Sequence, residues 1–391
     1  MSEWKEYKLG EVAEIIGGGT PDTSNRDYWG GKIPWISLKD LTGYNKIYIE
    51  KGERNITELG YKNSSTRLLP KGTVLFSSRA PIGYVAIASN PICTNQGFKS
   101  LVCNETIVNN VYLYYWLKSN TEYLQSLGTG TTFAEISGSA LKTVNISLPP
   151  IEEQKQIAGV LSSLDDKIDL LNRENATLEA LAETLFCHYF IENPNPEWKE
   201  MPVSYYGKVI CGKTPSKKNE EYYGGEVPFI KIPDMHGNTY VFNSEDTLSE
   251  KGKESQKEKT LPKGSIMVSC IATVGLVSMN AIEAQTNQQI NSVVPNDEQY
   301  RFYLYCWFKS MYDELNTMAS GGTATLNLNT GDFSRIGITL PDDDAIKEFH
   351  LQVKPIFAKI RSNQQQMQTL AAQRDTLLPR LMSGEVKVGG Q

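Results

Sequence analysis

The stretch GGGTPDTSNRDYWGGKIPWISLKD, residues Gly17–Asp40, decides how the chain is read, because it returns as CGKTPSKKNEEYYGGEVPFIKIPD at Cys211–Asp234. Thr20-Pro21 matches Thr214-Pro215, and Tyr28, Gly30, Gly31, Pro34, Ile36 and Asp40 match Tyr222, Gly224, Gly225, Pro228, Ile230 and Asp234. Working outward, Trp4-Lys5-Glu6 recurs as Trp198-Lys199-Glu200, Leu69-Pro-Lys-Gly72 as Leu261-Pro-Lys-Gly264, and Asn95-Gln96 as Asn287-Gln288. Tyr112–Ser119 recurs as Tyr303–Ser310, Gly130-Thr131 as Gly322-Thr323, and Leu148-Pro149 as Leu340-Pro341. A repeat of this length means one architectural unit built twice. The 391 residues therefore divide into two similar halves, a division that length alone also favours.

Within each half, short β-branched and aromatic runs alternate with Gly, Pro and Asn turns. Lys32–Leu38, Thr73–Ser77, Tyr84–Ile87 and Val144–Leu148 read as strands. Val111–Lys118 and Arg301–Ser310 read as aromatic-rich helices. The expected class is α+β, with mixed-sheet domains at 1–150 and 197–341, a central helical spacer at 151–192 and a C-terminal one at 345–384. Asn193–Pro196 reads as the linker between halves.

The spacers carry a second pattern. Ile157, Leu161, Leu164, Ile168, Leu171, Asn175, Leu178, Ala182, Leu185 and Tyr189 alternate steps of four and three. The second spacer repeats the register at Phe349, Val353, Ile356, Ile360, Asn363, Met367, Leu370, Arg374, Leu377 and Leu381. Sustained heptads of this kind predict a coiled-coil seam, here a rod of roughly 50 Å from about 33 residues. Residues 151–196 hold 3 basic and 9 acidic side chains, whereas 346–391 hold 7 and 3. Opposite charge favours pairing of the two helices with each other, and a pseudo-two-fold axis between the halves makes them antiparallel. Asn175, Asn363 and Arg374 are expected to set register as buried polar residues. Asp165-Asp166 are expected to be solvated, and Pro355 to bend the second helix or to mark its proper start.

Composition excludes several classes. No run of apolar residues is long enough to span a bilayer, and MSEWKEYKLGEVAEIIGGGT has no h-region, so no secretory leader is expected there. The six cysteines and three histidines are scattered, which argues against a zinc site and for reduced, buried thiols in a cytoplasmic protein. The net charge of −6 is unlike most nucleic-acid binders. There is no H-E-x-x-H, no G-x-S-x-G and no dinucleotide fingerprint opening a β-α unit. Gly207–Thr214 does match the Walker A spacing, which raises a P-loop nucleotidase as an alternative. Pro215 opposes it, since a phosphate loop runs on into a helix with free N–H groups. The matching stretch Ile16–Pro21 also lacks the lysine. A coiled-coil scaffold without DNA reading is the other alternative.

The constellation resembles the specificity subunit of type I restriction–modification systems. The residues that carry the resemblance are Leu148-Pro-Pro-Ile-Glu-Glu-Gln-Lys-Gln-Ile-Ala158 at the start of the first spacer, Leu377-Leu-Pro-Arg-Leu-Met-Ser-Gly-Glu-Val386 at the close of the second, and the doubled Gly-x-Thr-Pro, Tyr-x-Gly-Gly and Pro-aromatic-Ile. The second spacer departs from the pattern, with Pro341-Asp-Asp-Asp-Ala-Ile-Lys-Glu348 lacking paired prolines and Glu-Gln. Arg79 has Ile271 as its counterpart, and Gly97 has Gln289. The resemblance implies two target-recognition domains, each reading one part of a split duplex-DNA target, with the paired helices as the spacer between them. It implies no catalytic site. It also implies two methyltransferase subunits docked on the helices, and translocating restriction subunits beyond them. S-adenosylmethionine, ATP and Mg are then expected on those partners, with no cofactor bound by this chain.

Base edges are read by Arg, Lys, Asn, Gln, Ser and Thr on loops. The candidates in the first half are Thr20, Lys39, Ser78, Arg79, Asn95, Gln96, Thr131 and Thr132; in the second they are Lys213, Lys217, Lys218, Lys231, Asn287, Gln288 and Thr323. Asn95-Gln96 and its twin can equally cap a turn. Positions shared by both halves favour a structural role, because the two parts of the target differ, so Arg79 and Lys213 are the better candidates for specificity. Tyr28, Trp29, Tyr222 and Tyr223 are expected to pack against the sheet.

Overall fold

A computed structural model describes residues 4–129, 134–320 and 326–388. The chain forms two compact units, one of residues 1–169 with 369–391, the other of residues 170–368. The first unit holds a five-stranded sheet in the order Ala13–Gly17, Lys99–Cys103, Val74–Ser78, Ile82–Ala88, Tyr48–Ile49. Beside it are a three-stranded sheet, Arg54–Ile56, Trp29–Ile36, Cys93–Thr94, and the pair Lys5–Lys8 with Asn145–Leu148. All neighbours are antiparallel except Tyr48–Ile49 on Ile82–Ala88 and Cys93–Thr94 on Trp29–Ile36.

The second unit repeats this order strand for strand: Gly207–Cys211, Ile290–Pro295, Ile266–Ser269, Val277–Asn280, Tyr240–Val241; then Thr247–Leu248, Tyr223–Ile230, Gln285–Thr286; then Lys199–Pro202 with Gly337–Leu340. The two parallel pairings recur at the same places. The expected α+β class and internal repeat therefore hold.

The quoted motif has a physical cause in both units. Strand Trp29–Ile36 shifts register between Trp29 and Ile33, and Tyr223–Ile230 shifts between Tyr223 and Val227. The first glycine of each Gly-Gly pair has positive φ, +81° at Gly30 and +79° at Gly224. The second has no room for a side chain: a Cβ on Gly31 would lie 2.3 Å from the Ile56 carbonyl oxygen, and one on Gly225 2.6 Å from that of Leu248. The pair makes a bulge that only glycine fits.

Helices Asn110–Ser119 and Tyr300–Ser310 are buried on nearly every side, which is why their sequences are aromatic throughout rather than amphipathic. Asn109 caps the first by accepting from the Tyr112 N–H at 2.9 Å.

The spacers form helices Ile151–Phe186, followed by a π-helical turn at Cys187–Glu192, and Asp343–Met382. In the first unit Ile157 and Leu161 share a core with Leu377, Leu381 and Met382. In the second, Ala182 and Phe186 share one with Phe349, Val353, Phe357 and Ile360. The ends that meet run antiparallel in each unit, as the internal repeat predicts. Asn363 Nδ2 donates to Asn175 Oδ1 at 2.9 Å and to Glu174 Oε2 at 3.0 Å.

Two expectations need correcting. Asp165 is buried, not solvated: it accepts from Tyr115 Oη at 2.6 Å and from Arg374 Nη1 at 2.5 Å. The buried stripe is wider than a two-helix seam because helix Asn110–Ser119 also lies on it. Pro355 does not mark the start of the second helix, which begins at Asp343. The carbonyl that loses its donor belongs to Leu351, a residue 63% exposed, so water is at hand to satisfy it.

Candidate nucleic-acid interface

In each unit the Gly-x-Thr-Pro turn leans on the Asn-Gln turn. A Cβ on Gly18 would lie 1.9 Å from the Asn95 carbonyl oxygen, and one on Gly212 2.1 Å from that of Asn287. The Gly19 N–H donates to Thr94 O at 2.8 Å and the Lys213 N–H to Thr286 O at 2.9 Å. Above this contact Thr20 Oγ1 donates to Gln96 Oε1, and Thr214 Oγ1 donates to Gln288 Oε1 at 2.6 Å. Beneath it Asn95 Oδ1 accepts from the Gly97 N–H at 3.0 Å and Asn287 Oδ1 from the Gln289 N–H at 3.1 Å. The asparagines thus cap their turns, whereas Gln96 and Gln288 are exposed.

The remaining candidates divide. Ser78 is fully buried at a strand end, where its N–H and Oγ both donate to Gly97 O, at 2.8 and 3.0 Å. It is unavailable to a base; its place just past the run Thr73–Ser77 that reads as a strand, next to half-buried Arg79, concealed that. Arg79 lies beside Glu135 (3.7 Å), which also holds Lys99 at 3.3 Å. Lys39 pairs with Glu53 at 2.7 Å on the open surface, and that carboxylate raises the Lys39 ammonium above its usual range. Lys231 pairs with Asp246. It stands in register with Ser37, not with Lys39, whose counterpart is Pro233. Lys213, Lys217 and Lys218 are exposed and make no ion pair among the described residues. Thr131, Thr132 and Thr323 lie outside the described residues.

Of the four aromatic residues expected to pack against the sheet, Trp29 and Tyr223 do. Trp29 meets Trp35 edge-on at 5.0 Å and donates from Nε1 to Asp22 O, while Tyr223 Oη donates to Pro215 O at 2.7 Å. The sequence reading missed Arg54, whose guanidinium lies 3.4 Å from the centroid of Trp29. Strand pairing brings the two together, and no local pattern signals it.

The Walker-like stretch is not a phosphate loop. Residues Gly207–Cys211 are a strand, the Gly212 and Lys213 N–H groups are spent on Ile290 O and Thr286 O, and no helix follows directly. All six cysteines are free, and burial pushes the Cys93 and Cys270 thiols up to about 11. Among the described residues, no group of three His, Cys, Asp or Glu side chains is placed to hold a metal ion, and no helix is long and apolar enough to cross a membrane.

These two constructions, alike in scaffold and unlike in exposed side chains, have parallels among known proteins. A model of the type I restriction modification DNA specificity domain matches residues 1–180 and again 195–371. The specificity subunit of the type I restriction enzyme MjaIX of Methanocaldococcus jannaschii is 37% identical, over 99% of this chain and 94% of its own. That of the HindI enzyme of Haemophilus influenzae is 34% identical, over 99% and 100%. The crystal structure of a type I restriction–modification S subunit from M. genitalium shares the fold, with a TM-score of 0.61 at 17% identity over 97% of this chain and 96% of that one. The doubled domain match and the full-length relatives place this chain in the type I restriction–modification DNA specificity family.

Proposed function

We propose that each unit reads one part of a two-part duplex-DNA target through its paired turns, and that the long helices dock methyltransferase subunits. The observation that carries this reading is one scaffold built twice with different exposed chemistry. Gly19, shut in by Ser65, becomes exposed Lys213. Arg79 becomes Ile271, Ser37 becomes Lys231, and Lys39 becomes Pro233. A shared frame with divergent tips suits two readers of unlike sequences. Lys213, Lys217 and Lys218 are the unpaired cations of the second reader; Arg79 and Gln96 are the corresponding polar groups of the first.

The chain supplies recognition and no reaction of its own. S-adenosylmethionine serves adenine methylation on the methyltransferase subunits, and ATP with Mg serves any translocating restriction subunit. Partners also account for an acidic DNA reader, because part of the phosphate charge is met by their cations.

The test is adenine-methylation mapping in cells that express the chain with its methyltransferase. A two-part methylated motif is expected. Lys213→Ala with Lys217→Ala is expected to relax or change one part only, the other remaining intact. Methylation without any motif, or a change in both parts at once, overturns the assignment of one part to each unit.

A further inference from the structure

The second unit gathers positive charge where its composition gives no cause for it. Its residues 170–368 hold 19 basic and 25 acidic side chains. Yet a cleft of 340 Å³ is lined by Lys263, Arg301, Lys354 and Arg361 together with Tyr240 and Phe302. Three elements supply the cations: the Pro-Lys-Gly turn before strand Ile266–Ser269, the first turn of helix Tyr300–Ser310, and the second long helix. Lys354 and Arg361 are seven residues apart and so share one helix face.

The four groups are not used up by their neighbours. Arg301 Nε donates to Gly264 O at 3.0 Å, and its Nη1 meets Glu298 Oε1 at 2.5 Å. Arg361 Nη2 makes one bond, to Ala281 O at 3.3 Å, and its Nε is buried with no partner. Lys263 and Lys354 are exposed and form no ion pair among the described residues. Of the four, Arg301 alone makes an ion pair among the described residues, with Glu298, and the mutual repulsion of the cations opposes the arrangement.

The first unit builds the same junction with one of the four cations. Asn110 Nδ2 donates to Gly72 O at 3.0 Å where Arg301 donates to Gly264 O. In register, Lys263 has Lys71, Lys354 has Ser162, and Arg361 has Asp169, which pairs with Lys46 at 2.7 Å. The fold does not need the cations, so a ligand of the second unit is the reason for them.

We infer that this cleft binds phosphate. Two guanidinium groups offer planar, paired donors to phosphate oxygens, and two ammonium groups add point charge. The source is either a small phosphorylated anion or a backbone phosphate of DNA. The site stands whether or not the turns read bases.

Thermal unfolding of the full chain in sodium pyrophosphate, against sodium chloride of equal ionic strength, tests it. A saturable rise of several degrees is expected. Lys354→Glu and Lys354→Gln should each reduce it, and Lys263→Glu with Lys354→Glu should abolish it. Lys71→Glu in the first unit should leave it intact. No rise above the chloride control, or a rise that the double variant retains, overturns the proposal. A second arm uses the chain assembled with its methyltransferase on duplex DNA and assigns the source. If the phosphate is DNA's, Lys354→Gln lowers the slope of log affinity against log salt by about 0.9 and pyrophosphate competes with the duplex. If the ligand is small, the slope is unchanged while the thermal shift persists.

Discussion

In the first unit the seam between the long helices carries a polar trio, buried Tyr115 and Asp165 with half-buried Arg374. In register, the second unit has Cys306, Phe357 and Ala182, all buried in its core, with Tyr305 edge-on to Phe357 at 5.3 Å. One fold thus fills the same three positions with opposite chemistry. The apolar trio gains by removing surface from water. The polar trio gains little net energy, because taking a carboxylate and a guanidinium out of water costs about as much as their attraction returns. What it adds is intolerance of a wrong partner. Any slip of Arg374 along the helix leaves Asp165, its side chain only 8% exposed, without its counter-ion.

The contrast can be broken experimentally. Arg374→Leu strands the Asp165 carboxylate and should cost about 3–5 kcal/mol, read from the urea midpoint. The triple variant Tyr115→Phe, Asp165→Leu, Arg374→Leu gives the first unit an apolar trio and should return stability close to the starting value. If the triple variant is no better than Arg374→Leu, the two trios are not interchangeable and the comparison fails.

Asn363→Leu should cost less, about 1–3 kcal/mol in the same measurement, because it removes one donor from the Asn175 amide and one from the Glu174 carboxylate, which keeps Lys359 as its counter-ion. A loss as large as that of Arg374→Leu would mean that the amide pair, not the ion pair, is the main determinant of register.

A smaller effect is expected at His350, which stacks on Phe302 at 5.3 Å and is in register with Ala158. Burial, and then the nearby Lys354 ammonium, hold its imidazole below the ordinary value of 6.5, against Glu298, which raises it. Arg301 also faces it and lowers it. The unfolded chain therefore binds the proton more readily. Stability from this group is present above pH 6.5 and falls as pH drops through the lowered value. His350→Ala should flatten that fall in acid-side urea titrations; an unchanged pH profile would remove His350 as its source. The smallest effect is expected at Lys39. Its pair with Glu53 is exposed at both ends, so Lys39→Ala should leave the urea midpoint essentially unchanged. A larger loss would show that the pair supports the turn.

Much of this architecture was legible in the residues. The doubled motif fixes the repeat, and the four-three spacing names the positions that are buried at Ile157, Leu161, Leu171, Ala182, Phe349 and Val353. Those signals are periodic, and period is a property of one segment. Asp165 was not legible, since its burial depends on Tyr115, 50 residues away in sequence. Ser78 and Arg79 are neighbours with opposite environments, one inside a strand end and the other beside Glu135, and the change of environment follows from pairing across the sheet. The cationic cleft draws on residues 263 to 361, each unremarkable in its own stretch.

The amide pair at Asn175 and Asn363 has a consequence for inheritance. In register, Asn175 corresponds to Met367 and Asn363 to Leu171. A gene rebuilt from two copies of its first spacer would set each Asn175 against a leucine, and two copies of the second would set each Asn363 against a methionine. Either recombinant loses the bond from Asn363 Nδ2 to Asn175 Oδ1, whereas one spacer of each kind keeps it. Recombination is thus free to exchange the readers but is penalised when it makes the two spacers alike.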